Sequence, residues 1–243
     1  MKRGIDVSMF VDVDILKYKP DFVIIRGGEG VAFKDSKAEH YAKICEDHHI
    51  PFGVYWVLDF SSGTSAQHAA ECLRTVRSLP GRVRMGVWAD CETPAAMDNV
   101  AIAEFCQKIQ DAGYYAGIYT GINYLRNGKI KVDAFDKWAA YYGEDSGDLS
   151  DFDSWEIDII QDHASLWQYA SGSGKNPDLD ICFLNDLNVY DVSNNGSSSP
   201  QPDPPEASDP QVSGVDPAIL EELDDIMDRL KRIREYLEGE PKE

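Results

Sequence analysis

Along the first 190 residues, short apolar runs rich in β-branched and aromatic residues alternate with amphipathic stretches of helical period, and this alternation restricts the fold more than any other feature. Strands are expected over 4–8, 22–26, 52–58, 84–91, 115–120, 138–142, 164–169 and 179–184. Helical stretches fill the gaps at about 35–49, 65–78, 98–112 and 122–136, with a short turn near 12–18. Several strand runs are apolar throughout, as strands covered on both faces must be. Five strand–helix units in succession imply a largely parallel α/β sheet. Three further strands allow it to close as a TIM-like barrel, with its functional rim at the strand C-terminal ends.

The last connection breaks the pattern. Only residues 171–178 separate the seventh and eighth strands. A parallel crossover needs a dozen residues or more, so this link must be a hairpin and the last strand must run antiparallel. Such a strand starts at the rim where its parallel neighbours end, which brings Asp178 to the rim that already holds Asp6, Asp90 and Glu92. Residues i and i+2 of a strand share a face, so Asp90 and Glu92 point together while Cys91 turns toward the helices. Clustered acids suit glycoside hydrolysis. Burial and like charge raise one pKa so that this group can protonate a leaving oxygen, while ionised neighbours face the cationic carbon. Taken singly, each Asp would serve as well as a helix cap or turn former, and the spacing alone would equally describe a divalent-metal site.

The residues carry a resemblance. Gly4-Ile5-Asp6-Val7-Ser8, the run 22–30 closing on Glu29-Gly30, Gly53-Val54-Tyr55, Asp90-Cys91-Glu92, Gly117-Ile118-Tyr119-Thr120, Trp167-Gln168-Tyr169-Ala170 and Asp178-Leu179-Asp180 occur in the order seen in glycoside hydrolase family 25 lysozymes, which the chain resembles over about 1–190. These are N-acetylmuramidases of bacteria and bacteriophages. The resemblance implies a barrel of five strand–helix units plus three strands. It also implies hydrolysis of the β-1,4 bond between N-acetylmuramic acid and N-acetylglucosamine in peptidoglycan, with retention, in an endolysin setting. Glu92 resembles the family's general acid, and Asp6, Asp90 and Asp178 match its other acidic positions. No cofactor is implied. Met9-Phe10 departs from a frequent aromatic–Gln pair, and Cys91 from an aliphatic or aromatic residue. Asp180 is a second inward candidate beside Asp178. The rival readings are a glycan-binding barrel without activity and a metal-dependent phosphodiesterase; the latter would normally add histidines at strand ends, and none stands beside these acids.

Tyr55, Tyr119, Tyr141 and Trp167 fall near strand ends, where aromatic faces can stack on sugar rings or simply fill the core, and Glu29 ends the second strand as a substrate contact or turn residue. The five histidines lack metal-ligand spacing and are expected in solvated or capping roles, and the five cysteines, with no CxxC pair, read as buried free thiols. Net charge is −20, which opposes nucleic-acid binding and gives no help in approaching a polyanionic wall. The apolar runs are too short for membrane insertion, and acids interrupt any signal-peptide core near Met1. The expected course is therefore synthesis in the cytoplasm and action on the wall after release.

Composition changes near Tyr190. Residues 191–215 are Ser, Pro, Asn, Asp and Gly with few apolar groups, a flexible linker by composition. Over 216–238, Ile219, Leu223, Ile226, Leu230, Ile233 and Leu237 repeat at 4, 3, 4, 3, 4, a coiled-coil seam with Leu at a and Ile at d. That choice favours a homo-oligomer larger than a dimer, a tetramer, over a lone helix docked on the barrel.

Overall fold

In the computed structural model, residues 1–142, 154–172 and 175–192 are described. The expected coiled-coil helix, and all but the first two residues of the expected linker, lie outside them. The chain divides into two compact units, Met1–Ser198 and Ser199–Glu243, and the described residues all belong to the first.

Strands β1 (Lys2–Val7), β2 (Phe22–Glu29), β4 (Phe52–Val57), β5 (Val83–Asp90), β6 (Ala116–Gly121), β7 (Asp136–Ala140), β8 (Leu166–Ala170) and β9 (Asp178–Cys182) close into a barrel, with β3 (Phe33–Lys34) a two-residue spur on β2. Pairing is parallel along β1, β2, β4, β5, β6, β7 and β8, and the β3 spur is antiparallel to β2. It is antiparallel on both sides of β9, as the short hairpin requires. The register Asp6↔Asp178 and Lys2↔Cys182 sets the ends of β1 and β9 side by side at each pole.

Each expected strand is present, its ends shifted by a few residues. Helices α1 (Ala38–Asp47), α2 (Ser65–Ser78) and α3 (Asn99–Asp111) lie where periodicity placed them. Thr64 and Gln67 form a reciprocal capping box on α2, and Asp98 accepts from Val100 N and Ala101 N to start α3. The helix expected over 122–136 is corrected to α4 (Ile122–Arg126) alone. Gly128, at φ +62°, turns the chain out of the helix. Ile130, Val132 and Phe135 then bury in the helix layer from an irregular segment. A fifth helix, α5 (Ser154–Ile160), lies between β7 and β8 without a counterpart among the expectations.

The core has two main layers. Phe22, Ile24, Met85, Trp88, Trp138, Leu166 and Cys182 fill the barrel, and Tyr190 packs onto Trp88 and Tyr115 from the N-terminal pole. The helices cover the outer faces of the strands, where all five buried free cysteines except Cys182 reside. His68, expected at the surface, is instead fully buried against Phe60.

Gly86 decides which face of β5 meets the barrel axis. Met85 and Trp88 both point inward although they are three residues apart. A bulge with Gly86 at φ +75° absorbs the extra residue, and strand register shifts there relative to β4. Trp88, Asp90 and Glu92 then share the inner face, while Val87, Ala89 and Cys91 pack under the helices.

Candidate active site

Asp6 ends β1, Asp90 ends β5 and Asp178 begins β9, so all three stand on one rim. Glu92 follows Asp90 by one inward step. Its backbone position is fixed by Cys91 N donating to Tyr119 O at 2.9 Å and Thr120 Oγ1 donating to Cys91 O at 2.6 Å. Asp6 and Asp90 are each 5% exposed, whereas Glu92 is open to solvent at the mouth. A shell of protein around that opening still thins its hydration.

Gln168, on the inner face of β8, joins the acids. Its Nε2 donates to Asp6 Oδ2 at 2.6 Å and to Asp178 Oδ2 at 3.3 Å. Its Oε1 accepts from Tyr119 at 2.7 Å and Tyr142 at 2.6 Å. The second Asp178 oxygen accepts from Gly172 N at 2.6 Å. Below them Asp180, fully buried, accepts from Trp138 Nε1 at 2.9 Å, and its carboxyl stands against that of Asp6. Arg26, on the inner face of β2, pairs with Glu29 and lies between the rings of Phe10 and Phe33, with centroids at 5.3 and 5.2 Å.

Burial pushes Asp90 well above the usual carboxylate range; the Glu92 charge pushes the same way and Arg26 opposes it. Burial, then Asp178 and Asp180, raises Asp6. Burial and Asp178 raise Asp180. Glu92 is raised by lost hydration, the Tyr119 hydroxyl opposes by stabilising the ionised form, and Asp178 adds a further upward push. Asp6, Asp90, Asp180 and Glu92 thus retain protons more strongly than free carboxylates do, and Glu92 is the solvent-facing one of the four.

Of the expected aromatic contacts, Tyr119 and Tyr55 line the inner wall, where burial above all, and then the neighbouring acidic groups, hold both phenols protonated. Trp167 does not reach the groove. It is fully buried on the outer face of β8, packed on Tyr169 and Phe183, with Nε1 donating to Tyr141 O at 2.7 Å. Strand parity is the reason: Leu166 and Gln168 take the inner face, so Trp167 takes the outer. Tyr141 packs partly in the same outer cluster and borders a side cavity. Gln168, Arg26 and Tyr142 are the contributors that composition and charge did not single out. The signal available for Gln168 was a lone amide between apolar and aromatic neighbours in a buried strand.

Among the described residues, no three His, Cys, Asp or Glu side chains are placed to hold one metal ion, and no helix is long and apolar enough to cross a membrane.

The barrel, parallel except at β9, thus sets an accessible, proton-retaining glutamate beside the buried Asp6, Asp90 and Asp180, an arrangement compatible with glycoside hydrolysis. The chain belongs to glycosyl hydrolases family 25, whose profile matches residues 5–178. Its fold is similar to the catalytic domain of an endolysin from a bacteriophage of Listeria monocytogenes (TM-score 0.62, 24% identity, 78% of this chain and 97% of that one). It is also similar to a muramidase from Acremonium alcalophilum (TM-score 0.60, 16% identity, 81% and 100%) and a family 25 glycosyl hydrolase from Bacillus anthracis (0.58, 18%, 79% and 93%). No curated protein sequence matches the chain.

Proposed function

We propose that this glycoside hydrolase is a muramidase: it cleaves the β-1,4 bond between N-acetylmuramic acid and N-acetylglucosamine in peptidoglycan, with retention, as an endolysin released from the cytoplasm onto the wall. The observation that carries the reading is the placement of Glu92, solvent-facing and proton-retaining, over Asp6, Asp90 and Asp178. Glu92 donates its proton to the glycosidic oxygen as that oxygen leaves the anomeric carbon. The aspartates face the positive charge that develops there. Glu92, now ionised, takes a proton from the water that completes hydrolysis. Tyr55 and Tyr119 supply ring faces to the sugar, and Glu29 holds Arg26 beside the groove. Family membership supports the chemistry, and muramidases and an endolysin among proteins of the same fold support the substrate.

Digestion of purified peptidoglycan, with mass spectrometry of the products, tests this. New reducing-end N-acetylmuramic acid is expected; reducing-end N-acetylglucosamine or free amino groups alone would assign a different activity. Glu92→Gln keeps the shape but has no proton to give, so turnover should fall about 10²–10⁴-fold with the melting temperature unchanged.

A further inference from the structure

A cavity of about 450 Å³ opens beside the rim where β6 and β7 end. Asn123 and Tyr124 of α4, Asn127 and Lys129 of the loop beyond it, and Tyr141 and Tyr142 after β7 line it. Two hydrogen bonds join its walls to the acids. The Tyr124 hydroxyl donates to the carbonyl oxygen of Glu92 at 3.2 Å. Tyr142 donates to Gln168, which in turn holds Asp6 and Asp178. A group seated in this cavity therefore lies against the chain that carries the proton donor.

The loop bearing the cation is held in place. Lys129 N and Ile130 N both donate to Tyr124 O, at 2.9 and 3.2 Å. The Asn99 side chain grips the backbone on either side of Ile130, donating to Lys129 O at 3.0 Å and accepting from Lys131 N at 2.7 Å. The Lys129 ammonium lies over the Tyr124 ring, 5.4 Å from its centroid. Residues 126–131 contain Arg126, Lys129 and Lys131 and no acid, in a chain whose net charge is −20. All three cations are exposed. The positive edge thus stands next to the acidic groove.

In the wall the lactyl carboxyl of N-acetylmuramic acid is bound in an amide to the stem, so the sugars themselves offer this cation no charged partner. The peptide stem on the lactyl group of N-acetylmuramic acid does, because it carries free carboxylates, and its amides suit a wall of tyrosine and asparagine. Building on the muramidase reading, we propose that this cavity is a subsite for the peptide stem beside the cleaved bond, with Lys129 pairing with a stem carboxylate. Lys129 then sets preference among substrates and takes no part in bond breaking.

The test is steady-state kinetics of the full chain on two soluble substrates: glycan strands with their stems, and the same strands with the stem carboxylates converted to neutral methylamides. Lys129→Gln should raise KM on the strands with free stem carboxylates about threefold to fivefold, the scale of one exposed charge pair, with kcat retained. Its KM on the neutral-stem strands should match the wild type, and Lys129→Arg should restore the value on the strands with free stem carboxylates. An equal rise on both substrates, or no rise on either, overturns the subsite while leaving the muramidase reading intact. Wild-type protein that cleaves neither strand overturns both.

Discussion

Asp180 is buried with a second carboxyl against it and binds its proton more tightly in the fold than in the unfolded chain. Its contribution to stability is therefore complete at low pH and is lost as pH rises from the ordinary aspartate range through its raised value. Asp180→Asn removes that pH-dependent loss, keeps an oxygen for Trp138 Nε1 and offers Asp6 an amide proton. The variant should melt higher than wild type at pH 7, with the gap closing toward acid pH; thermal scans at both ends check this. Tyr119 gives a second test, because its hydroxyl favours ionised Glu92. Tyr119→Phe should move the alkaline limb of the kcat profile to higher pH, since the acid stays protonated longer; a limb that moves down would remove Tyr119 from this role. The four acids were legible because strand parity and the hairpin fix carboxylates from chain order alone. Gln168 and Arg26 were not, because an amide and a paired guanidinium inside apolar strands leave no mark in a charge pattern. Trp167 was placed at the groove on nearness to a strand end, and parity along β8 overrules that.

Among the elements, β5 and β6 show how packing fixes the rim. The Trp88 ring lies where a Cβ on Gly117 would stand, 2.2 Å from the nearest ring atom. Gly117→Ala must push Trp88 off its place inside the barrel, at a cost of about 1–3 kcal/mol. Because Trp88 is two residues from Asp90 on the same face, activity should fall along with stability; denaturant melts and turnover measured on the same preparation test the coupling. The strands were readable as apolar runs and α2 almost to the residue, since its capping box and apolar spacing agree. α4 was over-extended because apolar residues at 130, 132 and 135 continue a helical spacing past Asn127-Gly128, whereas burial from irregular backbone satisfies the same pattern. β3, only two residues long, has no period to detect.

At the scale of the whole molecule, net charge of −20 governs the meeting with an anionic wall. Repulsion between exposed charges is largely screened beyond about 10 Å at 0.1 M salt. Clearing of whole cells should therefore accelerate between about 10 and 150 mM salt; a rate that falls over this range would mean that local cations dominate the encounter. The expected homo-oligomer has its own check, light scattering of the full chain against a truncation at Ser193: a full-length monomer at micromolar concentration would remove it. The barrel's closure was legible from the count of eight strands and the direction of its last strand from a single short connection, while its side cavity was not, because Asn99, Tyr124 and Lys129 meet only once the helices are packed. That closure also places the first and last strands in register, with Lys2 opposite Cys182 and Asp191 ion-paired to Arg82 just ahead of β5. The polypeptide thus enters and leaves the barrel at the pole away from the acids. A label placed on the described barrel beside Lys2 or Asp191 would therefore stand on the side opposite Asp6 and Asp178.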